Sequence, residues 1–175
     1  MKTILITLLI STCSLMCYSQ QSLDDKNGFK NIKLGDTITS IPKSILKNLE
    51  TEQSNKDPEL HYDITDNSYF KIGDDIKLNS VMITTFRGRI MTISLFFDKS
   101  YGDNMFKLFK EAYGDPSRRP NQFMDSYWWL SKKVIMNLDF DGSTELPHAM
   151  MSSREVFERS TAFKNQQIKK AASDL

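Results

Sequence analysis

Cysteine is scarce in this chain: there are two, Cys13 and Cys17, and both sit near the N-terminus. The rest of the sequence has no disulfide, no thiolate nucleophile and no cysteine ligand for a metal. Histidine is nearly as rare. His61 and His148 stand far apart and have no ligand-spaced neighbour. A zinc site draws three or four ligands, so neither a metal nor any other cofactor is expected. An excess of one charge sign is also missing. Lys and Arg number 23 against 22 for Asp and Glu. Nucleic-acid binding rests on a clustered basic face, so no nucleic-acid partner is expected. Long apolar runs are lacking too. The most apolar stretch, Ile4 to Ile10, falls well short of the roughly 20 residues that cross a bilayer. No transmembrane segment is expected. Repeats and low-complexity tracts are absent.

What is present begins with an address. Lys2 precedes the short apolar run, and small residues follow it through Ser19. That is the order of a secretory signal peptide. Residues 1–19 are read as the signal, cut after Cys17-Tyr18-Ser19, which places the protein in the periplasm or outside the cell. The alternative is a lipid anchor at Cys13, because Ile10-Ser11-Thr12-Cys13 approaches a lipobox, with Thr12 where a smaller residue is usual. After the cut about 156 residues remain, an ordinary size for one domain. They are read as a single α+β domain over 20–175, with a loose polar leader over 20–28.

Periodicity supplies the elements. Phe29, Ile32 and Leu34 alternate with polar residues and predict a short extended arm that docks on the core. Thr39 or Ser40 then caps a helix carrying Ile45, Leu46 and Leu49, with Pro42 in its first turn. The polar stretch Thr51 to Glu59 is a loop. Leu60 to Ile64 and Tyr69 to Ile72 are short strands around an Asp66-Asn67 turn. Ile76 to Phe86 and Arg89 to Phe97 are β-rich and joined by Arg87-Gly88, a hairpin. Asp103 to Tyr113 is a helix with Met105, Phe106, Phe109, Ala112 and Tyr113 on one stripe, ended by Gly114 and Pro116. Phe123 to Leu130 and Lys133 to Phe140 form a second hairpin, followed by an Asp141-Gly142-Ser143 turn. The C-terminus has two readings. Ser152-x-x-Glu155 is a capping box for one long helix, or Glu155 to Glu158 is a further strand before a helix over about 160–173.

The expected fold is an antiparallel sheet of four to five strands with helices packed on one face. Folding the first hairpin about Arg87-Gly88 sets Met82 opposite Ile93, Ser80 opposite Leu95 and Leu78 opposite Phe97. The other face then carries Val81, Ile83, Ile90 and Phe96 among Asn79, Thr85, Thr92 and Ser94. In the second hairpin Tyr127, Trp129, Val134, Met136, Leu138 and Phe140 share the richer face. Trp128 and Ile135 share the poorer one with Ser126, Asn137 and Asp139.

An arm ending Ile32-Lys33-Leu34-Gly35, a helix, a hairpin, a helix closing Tyr113-Gly114-Asp115-Pro116 and a Trp-bearing hairpin follow in order. From Phe29 to Phe140 this resembles the SmpA/OmlA-like and β-lactamase-inhibitor-like small secreted α+β domains. The resemblance implies a helical layer on one face of an antiparallel sheet. It also implies binding of another protein and no catalysis. The insert between Thr51 and Asp75 has no counterpart in that pattern.

Catalytic motifs fit poorly. Ser40-Ile41-Pro42-Lys43 and Ser44-Ile45-Leu46-Lys47 match S-x-x-K, which needs serine and lysine one helical turn apart and further motif members. Thr65-Asp66-Asn67 only approximates one of these, and no Lys-Thr-Gly exists. Asp139-Phe140-Asp141-Gly142 brings its glycine too early for a calcium loop. The acidic pairs Asp63 and Asp66, Asp74 and Asp75, and Asp139 and Asp141 read as turn residues. A small carboxylate-dependent hydrolase stays open, because separation in space is not written in a sequence. The leading expectation is a non-enzymatic protein-binding module of the bacterial envelope. An inhibitor or immunity protein against a secreted enzyme or toxin is the alternative. Strand alternation turns Trp128 away from Tyr127 and Trp129. The expected binding surface is Trp128, Ile135, Phe96, Ile90 and Ile83, unless the C-terminal helix covers it. Mass analysis of the exported protein should find Gln20 at its N-terminus; a lipid-modified Cys13 would replace that cleavage.

Overall fold

The computed structural model describes residues 22–49, 58–121, 126–140 and 146–173. The segment read as a signal peptide, both cysteines, most of the loop expected from Thr51, the start of the strand expected at Phe123 and the turn expected at Asp141–Ser143 lie outside the described residues. A small ribbon comes first, β1 (Gly28–Phe29) with β2 (Ile32–Lys33). There follow β3 (Leu46–Asn48), β4 (Glu59–Ile64), β5 (Lys71–Ile72), β6 (Ile76–Phe86), β7 (Arg89–Phe97) and helix α1 (Gly102–Tyr113). The chain continues through β8 (Tyr127–Leu130), β9 (Val134–Asp139), β10 (His148–Ser153) and helix α2 (Arg154–Ser173). The class is α+β. The main sheet has eight strands in the order β3-β4-β6-β7-β10-β9-β8, with β5 beside β6. All its pairs are antiparallel.

Two strands account for most of the difference from the four or five expected. Leu46–Asn48 lies where a helical stripe is read from the sequence. In its place two 3-10 turns, Ile38–Ser40 and Lys43–Ile45, lead into β3. Its backbone gains partners from Ile64, Asp63 and Tyr62 across the sheet. The other is β10, which enters between β7 and β9. Its segment is short and lacks the β-branched residues that mark a strand. Burial between two existing strands decides it.

The longest hairpin sets the faces. In β6 and β7, Val81 stands opposite Leu95 and Ile83 opposite Ile93. The ladder is shifted between Leu78 and Ser80 and again between Thr84 and Thr85. Simple folding about Arg87-Gly88 puts Met82 and Ser80 in those places, one residue off. A slip of one residue sends a whole set of side chains to the other face, and a bulge has the same effect. Val81, Ile83, Ile90, Ile93 and Leu95 are accordingly all fully buried in one core. Met136, Leu138 and Trp129 extend that core across β9 and β8.

Helix α1 covers this side with Met105, Phe109 and Tyr113. The Phe109 ring meets Trp129 edge-on, centres 5.9 Å apart. Gly114 ends the helix at φ 77, a region that favours glycine. Its carbonyl accepts the Trp129 Nε1–H at 2.9 Å. The ribbon contributes Phe29 and Ile32, with Leu34 just beyond it.

Helix α2 lies on the opposite face, so the helices do not share one side. Its first turn is capped by Ser153, whose Oγ accepts from Val156 N–H at 3.4 Å. The helix therefore starts at Arg154, well before residue 160, and Glu155 to Glu158 is helical. Val156 packs on Phe86 and Met91, a small core separate from the main one. The Ser160 hydroxyl donates to Glu59, and Lys164 Nζ reaches the other oxygen of the same carboxylate at 2.9 Å.

The leader is docked by a polar clasp. Residues 22–26 form a helical turn that buries Leu23 and Asp24. Asp24 Oδ1 accepts from Ser131 Oγ at 2.5 Å and from the Lys133 backbone N–H at 2.8 Å. Burial alone would raise this carboxyl's pKa. The Ser131 hydroxyl and the backbone N–H groups of Lys133 and its neighbours outweigh it, leaving the pKa below the usual value. The clasp is thus present above the unfolded carboxyl pKa, about 4, and is lost as pH falls through the lower folded value. In urea unfolding at pH 7, Asp24→Ala should cost about 1–3 kcal/mol, because two partners lose their acceptor. That gap should narrow on acidification below about pH 4; a gap that widens there would contradict the clasp.

Candidate functional site: the uncovered sheet face

Residues directly opposite in an antiparallel ladder share a face, so the register gives the second face row by row. Trp128, Asn137, Met150, Ser94, Met82 and Asp63 form one row across six strands, from β8 to β4. Leu130, Ile135, Ser152, Thr92, Thr84 and His61 form the next. Asp139, His148, Phe96 and Ser80 form a third. Beyond the second row, toward the hairpin tip, α2 sits on Phe86 and Met91. The three rows are not under that small core.

Of the five residues expected on this surface, three are here. Trp128, Ile135 and Phe96 are half-buried on the uncovered face. Ile135 and Trp128 are near neighbours on adjacent strands. Phe96 is not beside them: β10 and β9 intervene between β7 and β8, which is about 14 Å of sheet. Ile83 and Ile90 are on the other side, fully buried under the main core. The shifted register between Thr84 and Thr85 is the reason. Ile90 pairs with Thr85 and Thr92 with Thr84, so Met91 is the extra residue. Met82 and Met150 stand on the uncovered face instead, both half-buried and both facing Ser94. Only the bulge reveals Met82; nothing in the local pattern announces it.

The aromatic triplet is pleated as strand geometry demands. Tyr127 and Trp129 join Phe106 and Phe140 under α1, with Phe106 4.5 Å from Tyr127 and Phe140 stacked on it at 5.9 Å. Trp129 is buried. Trp128 faces the other way, its Nε1–H donating to Ser126 Oγ at 2.9 Å. Its backbone exchanges two hydrogen bonds with Arg118, at 3.1 and 2.9 Å. That bridge occupies the outer edge of β8 at this point and holds Trp128 in place.

Small polar groups fill the space between the apolar ones. Thr92 Oγ1 and Ser152 Oγ share a hydrogen bond of 3.0 Å. His61 Nδ1 lies 3.1 Å from Thr84 Oγ1. Phe96 packs beside the His148 ring, centres 6.0 Å apart. Next to it Asp139 Oδ1 is buried without a hydrogen-bond partner among the described residues. The face is therefore mixed, with part-exposed thioethers and an indole set among small, largely buried hydroxyls and the Asn137 amide.

Other candidate chemistry resolves into structure. Ser40 ends a 3-10 turn and Lys47 lies in β3, so neither S-x-x-K is held on a helix. Asp66 caps the 3-10 turn Asn67–Phe70, accepting from Ser68 N–H at 2.8 Å. The Ser68 backbone N–H and hydroxyl hold its carboxyl below the usual range. His61 and His148 stand in different rows on β4 and β10. Among the described residues no three His, Cys, Asp or Glu side chains are grouped to hold a metal. Hollows with more than one acid do exist. Asp74, Asp75 and Glu111 line one of about 430 Å³, and Glu155 and Glu158 line another of about 340 Å³ beside Lys132 and Lys133.

The two indoles should separate in mutation. Trp129→Ala should cost about 3–5 kcal/mol in denaturant unfolding, as for any buried large aromatic. Trp128→Ala should cost about 1 kcal/mol or less; equal losses would mean both rings serve the core. No protein-family model, curated protein or solved structure matches this chain.

Proposed function

We propose that this is an exported, non-catalytic module of the bacterial envelope that binds another protein on the uncovered face of its sheet. One observation carries the reading. Trp128, Ile135, Phe96, Met82 and Met150 are all partly accessible on one side of the sheet. Among the described residues the helix on that side packs at one end, on Phe86 and Met91. Tryptophan and methionine are enriched where proteins meet, because they bring large or adaptable apolar area to a contact. The small polar residues between them, Ser94, Thr92 and Thr84, are buried, and Thr92 and Thr84 are already hydrogen-bonded within the face, so the large part-exposed side chains are what a partner would meet.

Envelope fractions passed over the immobilised protein should yield a partner that Trp128→Ala loses while its melting temperature stays close to the parent's. Identical capture by both proteins would sink the site. If the captured partner is a secreted enzyme or toxin, adding the protein should lower that partner's activity, which separates an inhibitor from an assembly factor.

A further inference from the structure

A groove of about 310 Å³ lies between the β6–β7 hairpin tip and α2. Phe86 and Phe163 form an apolar wall, ring centres 5.8 Å apart and tilted by 56°. Arg87, Arg89 and Arg159 also line it, and among the described residues no carboxylate does. Arg159 is paired with Glu155 at 2.6 Å outside the lining. No carboxylate among the described residues pairs with Arg87 or Arg89.

The placement of Arg87 is unusual for a turn. It occupies the first position of the two-residue hairpin at φ 50, and Gly88 follows at φ 73. Asparagine or aspartate suits that left-handed first position better than arginine. The turn alone does not explain the residue. Its guanidinium centre lies 4.9 Å from the centre of the Phe163 ring and 5.4 Å from that of Phe86. Stacked this way, the fork keeps its N–H edge for another group. Arg89 is steadied from behind, with Nη1 donating to the Gly35 carbonyl at 3.1 Å.

Arg87 and Arg89, two like charges at one hollow with no carboxylate pairing them among the described residues, favour entry of an anion. Guanidinium forks match a planar carboxylate with paired hydrogen bonds. The rings beside them suit an apolar body rather than a bare ion. We propose that this groove binds a carboxylate carried on an aromatic body, with Arg87 and Arg89 meeting the carboxylate and the half-buried Phe163, backed by the buried Phe86, packing on the ring. The site is separate from the uncovered face, because it belongs to the end that α2 occupies.

The test is titration of the protein with N-acetylphenylalanine, followed by backbone amide NMR. Saturable shifts should be confined to residues 86–91 and 156–166. The uncharged N-acetylphenylalaninamide should bind about tenfold more weakly or worse, the usual scale for losing a charged, paired hydrogen bond. Arg87→Asn, which suits the turn, and Arg89→Gln should each weaken the acid by a similar factor while leaving the melting temperature near the parent's. A dipeptide ending in free phenylalanine that binds more tightly than the acid would assign the site to a protein C-terminus; the reverse would assign it to a free small acid. No saturable binding, shifts elsewhere, equal binding of acid and amide, or full displacement by equimolar inorganic phosphate would each overturn the proposal.

Discussion

The pairing of β6 with β7 is the constraint on which the rest of this molecule depends. These two strands lie at the middle of the sheet, and their neighbours β4 and β10 take register from them. A strand shows its side chains to alternate faces, so one register chooses which set is buried. Here two irregularities in the ladder place Val81, Ile83, Ile90, Ile93 and Leu95 together. With Val81 and Ile83 turned the other way, five apolar side chains could not share one core. Burial of a fully enclosed aliphatic side chain is worth about 1.5–3 kcal/mol, so this register is strongly preferred. The extra residue at each irregularity is the cost of joining two runs whose alternation is out of phase.

Once that face is full, the remaining elements have assigned places. Helix α1 brings a strong apolar stripe and closes over Trp129 and its aromatic neighbours. The ribbon and the leader turn fill the adjoining space, the latter held through Asp24 on Ser131 and Lys133. Helix α2 has a poor stripe, with Val156 and Ser160 as its buried residues. It is held by a small apolar contact and the Glu59 carboxylate rather than by a core. A helix so attached covers an end of the second face and, among the described residues, leaves Trp128, Ile135, Met150 and Met82 part-exposed beyond it. The part-exposed face proposed for docking and the arginine-lined groove both follow from that limited coverage.

Much of this was legible in the chain. Strands 76–86 and 89–97 and the helix ending at Tyr113 follow from alternation, helical spacing and a terminal glycine. So does the opposite pleating of Trp128 and Trp129, which needs nothing beyond strand geometry. Less legible were β3 and β10. Leu46–Asn48 carries too little pattern to oppose a helical reading, and Ala149-Met150-Met151 has no strong strand former. Each is a strand because an unpaired ladder waits beside it. For the candidate surface, Trp128, Ile135 and Phe96 were accessible to local reasoning. Ile83 and Ile90 were misplaced and Met82 missed through one cause, the extra residue Met91.

Composition and short-range order alone determined the α+β class, the two hairpins, the α1 stripe and the split of the aromatic triplet, because each rests on a period of 2 or 3.6 residues set by backbone geometry. The tertiary structure alone decided the sheet order, the insertion of β10 between β7 and β9, the opposed positions of the two helices and the meeting of Arg87, Arg89 and Arg159. Those depend on which backbone groups and apolar faces find partners far along the chain. Such pairings are settled by the burial of the whole set, and no local segment carries that information.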